Sequence, residues 1–276
     1  MKPQTVKIHT KNNDYQHIEV IKNNRKKRSK YGEFFVEGAK SINNIVANGW
    51  KINAFIYAME QPLSDWAKDI LATSKATIHY ELKHELMLDL SDKNEDYSEI
   101  LALVEIPQDS YDRIPLKKDA LIVLFDRPSN HGNLGTLLRS CEGLGVDGVI
   151  LSGHGVDLYD VKTIRASLGT MFSVPVVRAS SFQEVHEWID NVKEQLQDFQ
   201  VVGSTSATDM MVDDAIFTHP TMLLVGNETL GLSHNFTELC DVMVKIPMYG
   251  RITSFNVACA ASMMLYEIDR QRRKGI

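Results

Sequence analysis

The sequence predicts a two-domain α/β protein: a small N-terminal α/β domain, then a domain built on a mostly parallel sheet flanked by helices. Three observations point there. Short apolar runs alternate with stretches of helical periodicity along most of the 276 residues. The run LIVLFD at 121–126 is almost unbroken in its apolarity, as in a strand covered on both faces. Between these regions, 104–120 carries two prolines and many charges and loses the periodicity. The linker is therefore placed at 108–118, between domains at 1–107 and 119–276.

The elements follow in order. Residues 1–30 read as a polar, basic lead-in. Phe34–Val36 is the first strand. Residues 39–48 have helical spacing, with Ile42, Ile45 and Val46 on one side and Gly49 where a helix end favours glycine. Ile52–Ala58 is the next strand, followed by a helix near 64–74, a strand at 76–80 and a helix near 82–89. After the linker, strands are expected at 121–126, 148–151, 174–177, 199–203, 221–225 and 242–246. Helices are expected at 135–144, 181–196 and 255–271. Strands alternating with helices imply parallel pairing.

Composition narrows the function classes. Hydrophobic residues make up 43% and charged residues 24%, as in soluble globular chains. There is no run of 18 apolar residues, so no membrane span is expected. The first residues lack the apolar core of a secretory signal. Cys141, Cys240 and Cys259 are too few and scattered for a disulfide framework or a CxxC zinc site. A reduced, cytoplasmic setting and no metal are expected. The net charge of −6 conceals an asymmetry: residues 1–40 carry ten Lys/Arg against four Asp/Glu. Arg25, Lys26, Lys27 and Arg28 form its densest part. Such a run can track nucleic-acid phosphates, or it can be a solvated, mobile arm.

Two glycine motifs fail as nucleotide fingerprints. Gly143, Gly145 and Gly148 have G-x-G-x-x-G spacing, but they follow a helix and lead into a strand, the reverse of the order that seats a phosphate. Gly226 to Ser233 has P-loop spacing with Leu232 where lysine is required. That segment still leaves an apolar strand at its C-terminal end, where open α/β sheets bind ligands. Two further segments carry polar groups in apolar settings. In 124–145, Arg139 lies in a helix after Leu137 and Leu138, and a guanidinium there needs a partner or a polar cleft. Glu228 is the candidate partner. In 246–267, Ser254 precedes a helix rich in small residues and is a good N-cap.

These segments, in this order, resemble the three motifs of SpoU-type RNA 2′-O-ribose methyltransferases of the SPOUT superfamily. Asn133-Leu-Gly-Thr-Leu-Leu-Arg139 is similar to the first and Gly226-Asn-Glu228-Thr-Leu-Gly231-Leu to the second. Ile246-Pro-Met-Tyr-Gly250 through Ser254-Phe-Asn256-Val is similar to the third. Ile164 to Pro175 resembles another family segment, and Phe34-Phe-Val-Glu-Gly38 resembles the substrate-binding domain often fused to this enzyme. Phe255 departs from the usual leucine, which implies a slightly altered cofactor wall.

The resemblance implies a deep trefoil knot in the C-terminal domain, a homodimer and S-adenosylmethionine as cofactor. Leu224, Gly226, Asn227 and Gly231 from one crossing, and Ile246, Met248, Ser254 and Phe255 from the other, would hold it. Arg139 would be the central catalytic residue, orienting the ribose-phosphate and stabilising alkoxide charge. Asn133 and Asn256 would position Arg139 or the substrate, and Glu228 would hold the guanidinium. Ser254 would cap its helix or touch cofactor or substrate. Arg25, Lys26, Lys27, Arg28 and Arg165 would bind RNA, with rRNA favoured over tRNA. The other readings are a non-catalytic RNA-binding or ribosome-assembly protein of this fold and a nucleotide-binding α/β protein of another kind.

Overall fold

The computed structural model describes residues 3–91 and 97–275. The chain divides into two compact units. The first runs to Gln108 and takes in Asp157–Ser173; the second comprises Asp109–Val156 and the remainder from Val174.

The first unit contains β1 (Gln4–Ile8), α1 (Asn13–Asn23), α2 (Arg25–Tyr31), β2 (Glu33–Glu37), α3 (Ala39–Ala47), β3 (Ile52–Ala58), α4 (Asp65–Thr73), β4 (Ile78–Leu82), α5 (His84–Leu90) and β5 (Leu101–Glu105). Its sheet runs β1-β4-β3-β5-β2, parallel among β1, β4 and β3 and antiparallel where β5 meets β3 and β2.

The second unit opens with β6 (Leu121–Asp126), α6 (His131–Gly143) and β7 (Gly148–Ser152). The chain then contributes α7 (Val161–Ser167) and a 3-10 turn at Thr170–Phe172 to the first unit. The second unit continues with β8 (Val176–Arg178), α8 (Phe182–Gln195), β9 (Gln200–Ser204), β10 (Thr221–Val225), α9 (His234–Glu238), β11 (Val242–Val244) and α10 (Val257–Lys274). Its six strands pair in the order β11-β9-β10-β6-β7-β8, every pair parallel. Ile122, Leu124, Ile150, Met222 and Leu224 fill the core with Val185 and Ile189 of α8. The burial of all six residues of β6 explains its apolar run.

Three expectations change. The lead-in is folded structure, not a mobile arm. Asn12 caps α1 by accepting from the Tyr15 N–H at 3.0 Å, and Tyr15, Ile18 and Ile21 are fully buried at helical spacing. Arg28 is buried as well. Its Nε donates to Asp157 Oδ2 at 2.8 Å, Nη2 lies 3.3 Å from Asp160 Oδ2, and Nη1 donates to the carbonyls of Ile21 and Lys22. All its polarity is used inside the unit, so it does not bind RNA. The expected linker is also packed. Asp109 pairs with Arg178 at 2.8 Å, Tyr111 stacks on Trp188, and Ile114 is buried.

Residues 157–173 join the first unit through aromatic packing. Phe34 lies against Tyr159 and Phe172 at centroid distances of 4.7 and 6.0 Å, and Trp50 Nε1 donates to the Phe172 carbonyl at 3.0 Å. Each ring pair of this kind adds about 0.5–1.5 kcal/mol beyond area burial.

Candidate active site

β6 and β10 lie side by side in parallel, with Phe125 opposite Val225, so the loops that follow them leave the same edge of the sheet. The strand order reverses here: β7 and β8 extend one way from β6, β9 and β11 the other way from β10. Such a switch point leaves a crevice at the carboxyl ends of the strands.

The loop after β10 is tight and preformed. Asn227 and Gly231 exchange two backbone hydrogen bonds, each 3.0 Å. The Asn227 Oδ1 accepts from the N–H groups of Thr229 and Leu230 at 2.9 and 3.0 Å. A β-carbon on Gly226 would sit 2.3 Å from the backbone of Gly231 and Leu232, so this turn admits only glycine there. Gly231 adopts φ +67, which glycine takes without strain.

From this loop Glu228 reaches to the segment after β6. Its carboxylate accepts from the Ser129 N–H at 3.0 Å, the Ser129 hydroxyl at 2.5 Å, the Asn130 N–H at 3.2 Å and the Asn133 amide at 3.2 Å. Burial alone raises its pKa, but these donors outweigh it and hold the group below the ordinary glutamate value. The relay continues, because Asn133 Oδ1 accepts from the Asn256 amide at 3.0 Å. Asn256 in turn caps α10 by accepting from the N–H groups of Ala258 and Cys259. One chain of side chains thus joins the glycine loop, α6 and α10.

The segment before α10 meets the glycine loop across a cleft of about 780 Å³, within the roughly 300–1,000 Å³ typical of small-molecule sites. Gly226, Asn227, Glu228 and Gly231 line one side, and Ile246, Met248, Ser254 and Phe255 line another. Most of the expected cofactor residues are therefore brought together. Leu224 is the exception: it is fully buried within β10 in the core and does not line the cleft. Ser254 lines the cleft but is not the N-cap; that role falls two residues later, to Asn256.

Sequence reasoning missed Ser204–Thr208, Met243, Lys245 and the α10 residues Ala260, Ala261 and Met264, all of which line the cleft. The signal was available for the first group. They follow β9 at the same sheet edge, so the switch-point argument applied to the loop after β10 covers them too.

Arg139 is not where its pairing was expected. It is exposed, and among the described residues no hydrogen bond or ion pair reaches its guanidinium. Helix geometry gives the reason. Six residues separate it from Asn133, about 240° around the axis and about 9 Å along it, so Asn133 faces Glu228 while Arg139 faces elsewhere. In the first unit, Arg25 and Lys26 are exposed, Lys27 is half-exposed, and exposed Arg165 lies 3.7 Å from Glu37. No helix among the described residues is long and apolar enough to cross a membrane. None of the described His, Cys, Asp or Glu residues forms a group of three or more fit to hold a metal ion.

A parallel sheet with one cleft at its switch point, walled by a glycine turn and a small-residue helix, defines a ligand-binding α/β protein. Comparison with known proteins narrows the class. Residues 120–266 match the SpoU rRNA methylase family, and residues 12–102 match the SpoU L30e-like domain. The chain belongs to the SpoU rRNA methylase family. It is 41% identical to the 23S rRNA (uridine(2479)-2′-O)-methyltransferase of Streptomyces viridochromogenes, over 99% of this chain and 95% of that one. It is 26% identical to the 23S rRNA (guanosine(2553)-2′-O)-methyltransferase RlmP of Bacillus subtilis, over 88% and 91% of the two chains. The crystal structure of the SpoU methyltransferase AviRb from S. viridochromogenes with the cofactor AdoMet superposes with a TM-score of 0.91 at 42% identity, covering 96% of this chain and all of that one.

Proposed function

We propose that this protein transfers a methyl group from S-adenosylmethionine to a ribose 2′-hydroxyl of ribosomal RNA. The observation that carries the reading is the meeting of the 226–231 turn with the 246–255 segment in one cleft, in a chain of the SpoU rRNA methylase family. The cleft fits the cofactor by its chemistry. Leu232, Met243, Ile246, Met248 and Phe255 suit an adenine face. The backbone of the glycine turn suits its polar edge and the ribose hydroxyls, and Lys245 with the hydroxyls of 204–208 suits an amino-acid carboxylate.

When bound, S-adenosylmethionine supplies an electrophilic methyl group on a sulfonium that departs as a neutral thioether. The work left to the protein is on the weak nucleophile, which must be held in line and eased of its proton. Arg139 is assigned to orient the ribose-phosphate and stabilise alkoxide charge, a task suited to the planar fork of donors on a guanidinium. That no described residue pairs with its guanidinium supports that assignment. Glu228 does not serve as the base, because its donors stabilise the carboxylate and weaken it as a proton acceptor. Asn133, Glu228 and Asn256 position the two walls instead. Ser254, exposed at the cleft, is left free to touch cofactor or substrate.

The reading includes the rest of the assembly. The substrate-binding domain is taken as 1–107 and the catalytic domain as 119–276, apart from 157–173, which packs with the first unit, and Arg25, Lys26, Lys27 and Arg165 of that unit grip RNA. The C-terminal segment is assigned a trefoil knot. A homodimer is supported by α10, where exposed Cys259, Met263 and Tyr266 form a stripe at helical spacing that a second copy would cover. Three free cysteines agree with a reducing cytoplasm.

The test is transfer of tritiated methyl from S-adenosylmethionine to purified rRNA and tRNA, followed by alkali. Alkaline cleavage needs the free 2′-OH, so ribose methylation leaves the label in alkali-resistant dinucleotides from rRNA. Label confined to tRNA overturns the rRNA assignment, label in mononucleotides overturns ribose as the acceptor, and no label overturns the activity.

A further inference from the structure

We infer that Arg127 is a positioning residue that preforms the methyl-donor loop, acting through both ends of the 226–231 turn. This rests on the functional reading of the cleft given above. Arg127 does not itself line the cleft, and no motif of the family resemblance contains it.

The geometry starts from Asp126, the last residue of β6, which is 2% exposed. Its carboxylate accepts from Arg127 Nε at 3.1 Å, Arg127 Nη2 at 2.9 Å, the Ser152 hydroxyl at 3.1 Å and the Ser233 N–H at 2.9 Å. The guanidinium is thereby held in a fork, and Nη2 also donates to the Gly231 carbonyl at 3.1 Å. At the other end of the turn, the Asn227 side-chain amide donates to the Arg127 carbonyl at 2.7 Å. One residue therefore binds the entry of the turn through its backbone and the exit through its side chain. Ser233, just past the turn, is bound to the same carboxylate.

Two features show that this arrangement is specified. Arg127 sits at φ 51, the left-handed region that non-glycine residues rarely enter. The conformation is what lets its carbonyl and its guanidinium reach opposite ends of one turn. Across the sheet edge Gly153 is bare where a β-carbon would lie 2.6 Å from Arg127 Cγ, so the neighbouring loop leaves room for the side chain. A loop held in its bound shape before the ligand arrives binds with less ordering cost.

The test uses Arg127→Gly in the full-length protein. Glycine accepts the same φ and keeps the carbonyl that holds Asn227, so this variant removes the side chain with its guanidinium without straining the backbone. Two readouts are taken. Calorimetry with S-adenosylhomocysteine measures affinity, and amide hydrogen exchange without any ligand measures order in 226–233. Expected are a rise of about tenfold in Kd and faster exchange confined to 226–233. In turnover, KM for S-adenosylmethionine rises while kcat changes little. Arg127→Lys, which keeps the pairing with Asp126, recovers part of the affinity. A Kd within twofold of the parent together with unchanged exchange overturns the inference. A parent protein that binds no S-adenosylhomocysteine sinks the functional reading instead. The loop-ordering claim then stands or falls on the exchange data alone.

Discussion

Among the described residues, Glu228 accepts from Ser129, Asn130 and Asn133, and no arginine reaches it. Its role in the fold follows from that, and so does its response to pH. Its pKa is depressed in the folded chain, so the stability it contributes is complete above the ordinary glutamate value and is lost as pH falls through the folded one. Thermal melts of the parent and Glu228→Gln are expected to differ by about 1 kcal/mol at pH 7, with the gap closing towards pH 3. A gap that stays constant with pH contradicts the assignment. Arg139 is the complementary case, an exposed cation that no described residue pairs with. Arg139→Ala is expected to abolish methyl transfer while leaving S-adenosylhomocysteine affinity and the melting temperature nearly unchanged. Residual turnover within tenfold of the parent removes it from the chemistry. The sequence reading paired the two with each other, whereas in the structure the Glu228 carboxylate takes its donors from Ser129, Asn130 and Asn133. The difference lies in the rotation of α6, which turns Asn133 and not Arg139 towards the loop.

Among the elements, α10 is fastened at both ends. Asn256 ties its start to α6. Near its end, Arg272 donates to the carbonyls of Phe217, Asp119 and His219 at 3.0, 2.6 and 2.8 Å, and Gln271 is bonded to Phe217 and Ala215. Arg272→Ala removes the donors to these carbonyls and to that of Ala120 at 3.4 Å, and is expected to cost about 1–3 kcal/mol, read as a lower melting temperature. An unchanged melt contradicts that view of the helix end. The apolar strands β6, β7 and β10 were legible because burial on both faces leaves a continuous hydrophobic run. The start of α10 was misread by two residues, since Ser254 and Asn256 are both good caps and only the fold chooses between them. The helices α1 and α2 were illegible for another reason. Arg28 has the look of a solvated charge until Asp157 and Asp160, some 130 positions away, are brought against it.

At the scale of the whole molecule, an acidic chain presents a local basic surface. Arg25 and Lys26 are exposed and Lys27 partly so, whereas Arg28 is internal. Replacing Arg25, Lys26 and Lys27 by Gln is expected to weaken rRNA binding and flatten the log Kd against log salt slope by about 2 units, at about 0.7 for each RNA phosphate that is no longer neutralised. Arg28→Ala is expected to destabilise the first unit instead, by leaving Asp157 buried without its partner. An unaltered slope in the triple variant removes α2 from the RNA interface. The division into units was only partly legible. Proline and charge marked a break near 108, but nothing local marks 157–173 as part of the first unit, because the rings that hold it there come from β2 and from Trp50.

The most direct measurement is a nucleotide-resolution map of 2′-O-methyl groups on rRNA and tRNA, with parent protein and with Arg139→Ala. The account predicts one additional methylated ribose in ribosomal RNA with the parent and its loss in the variant. An identical map with and without the protein, or a new methyl group that persists in Arg139→Ala, would contradict it.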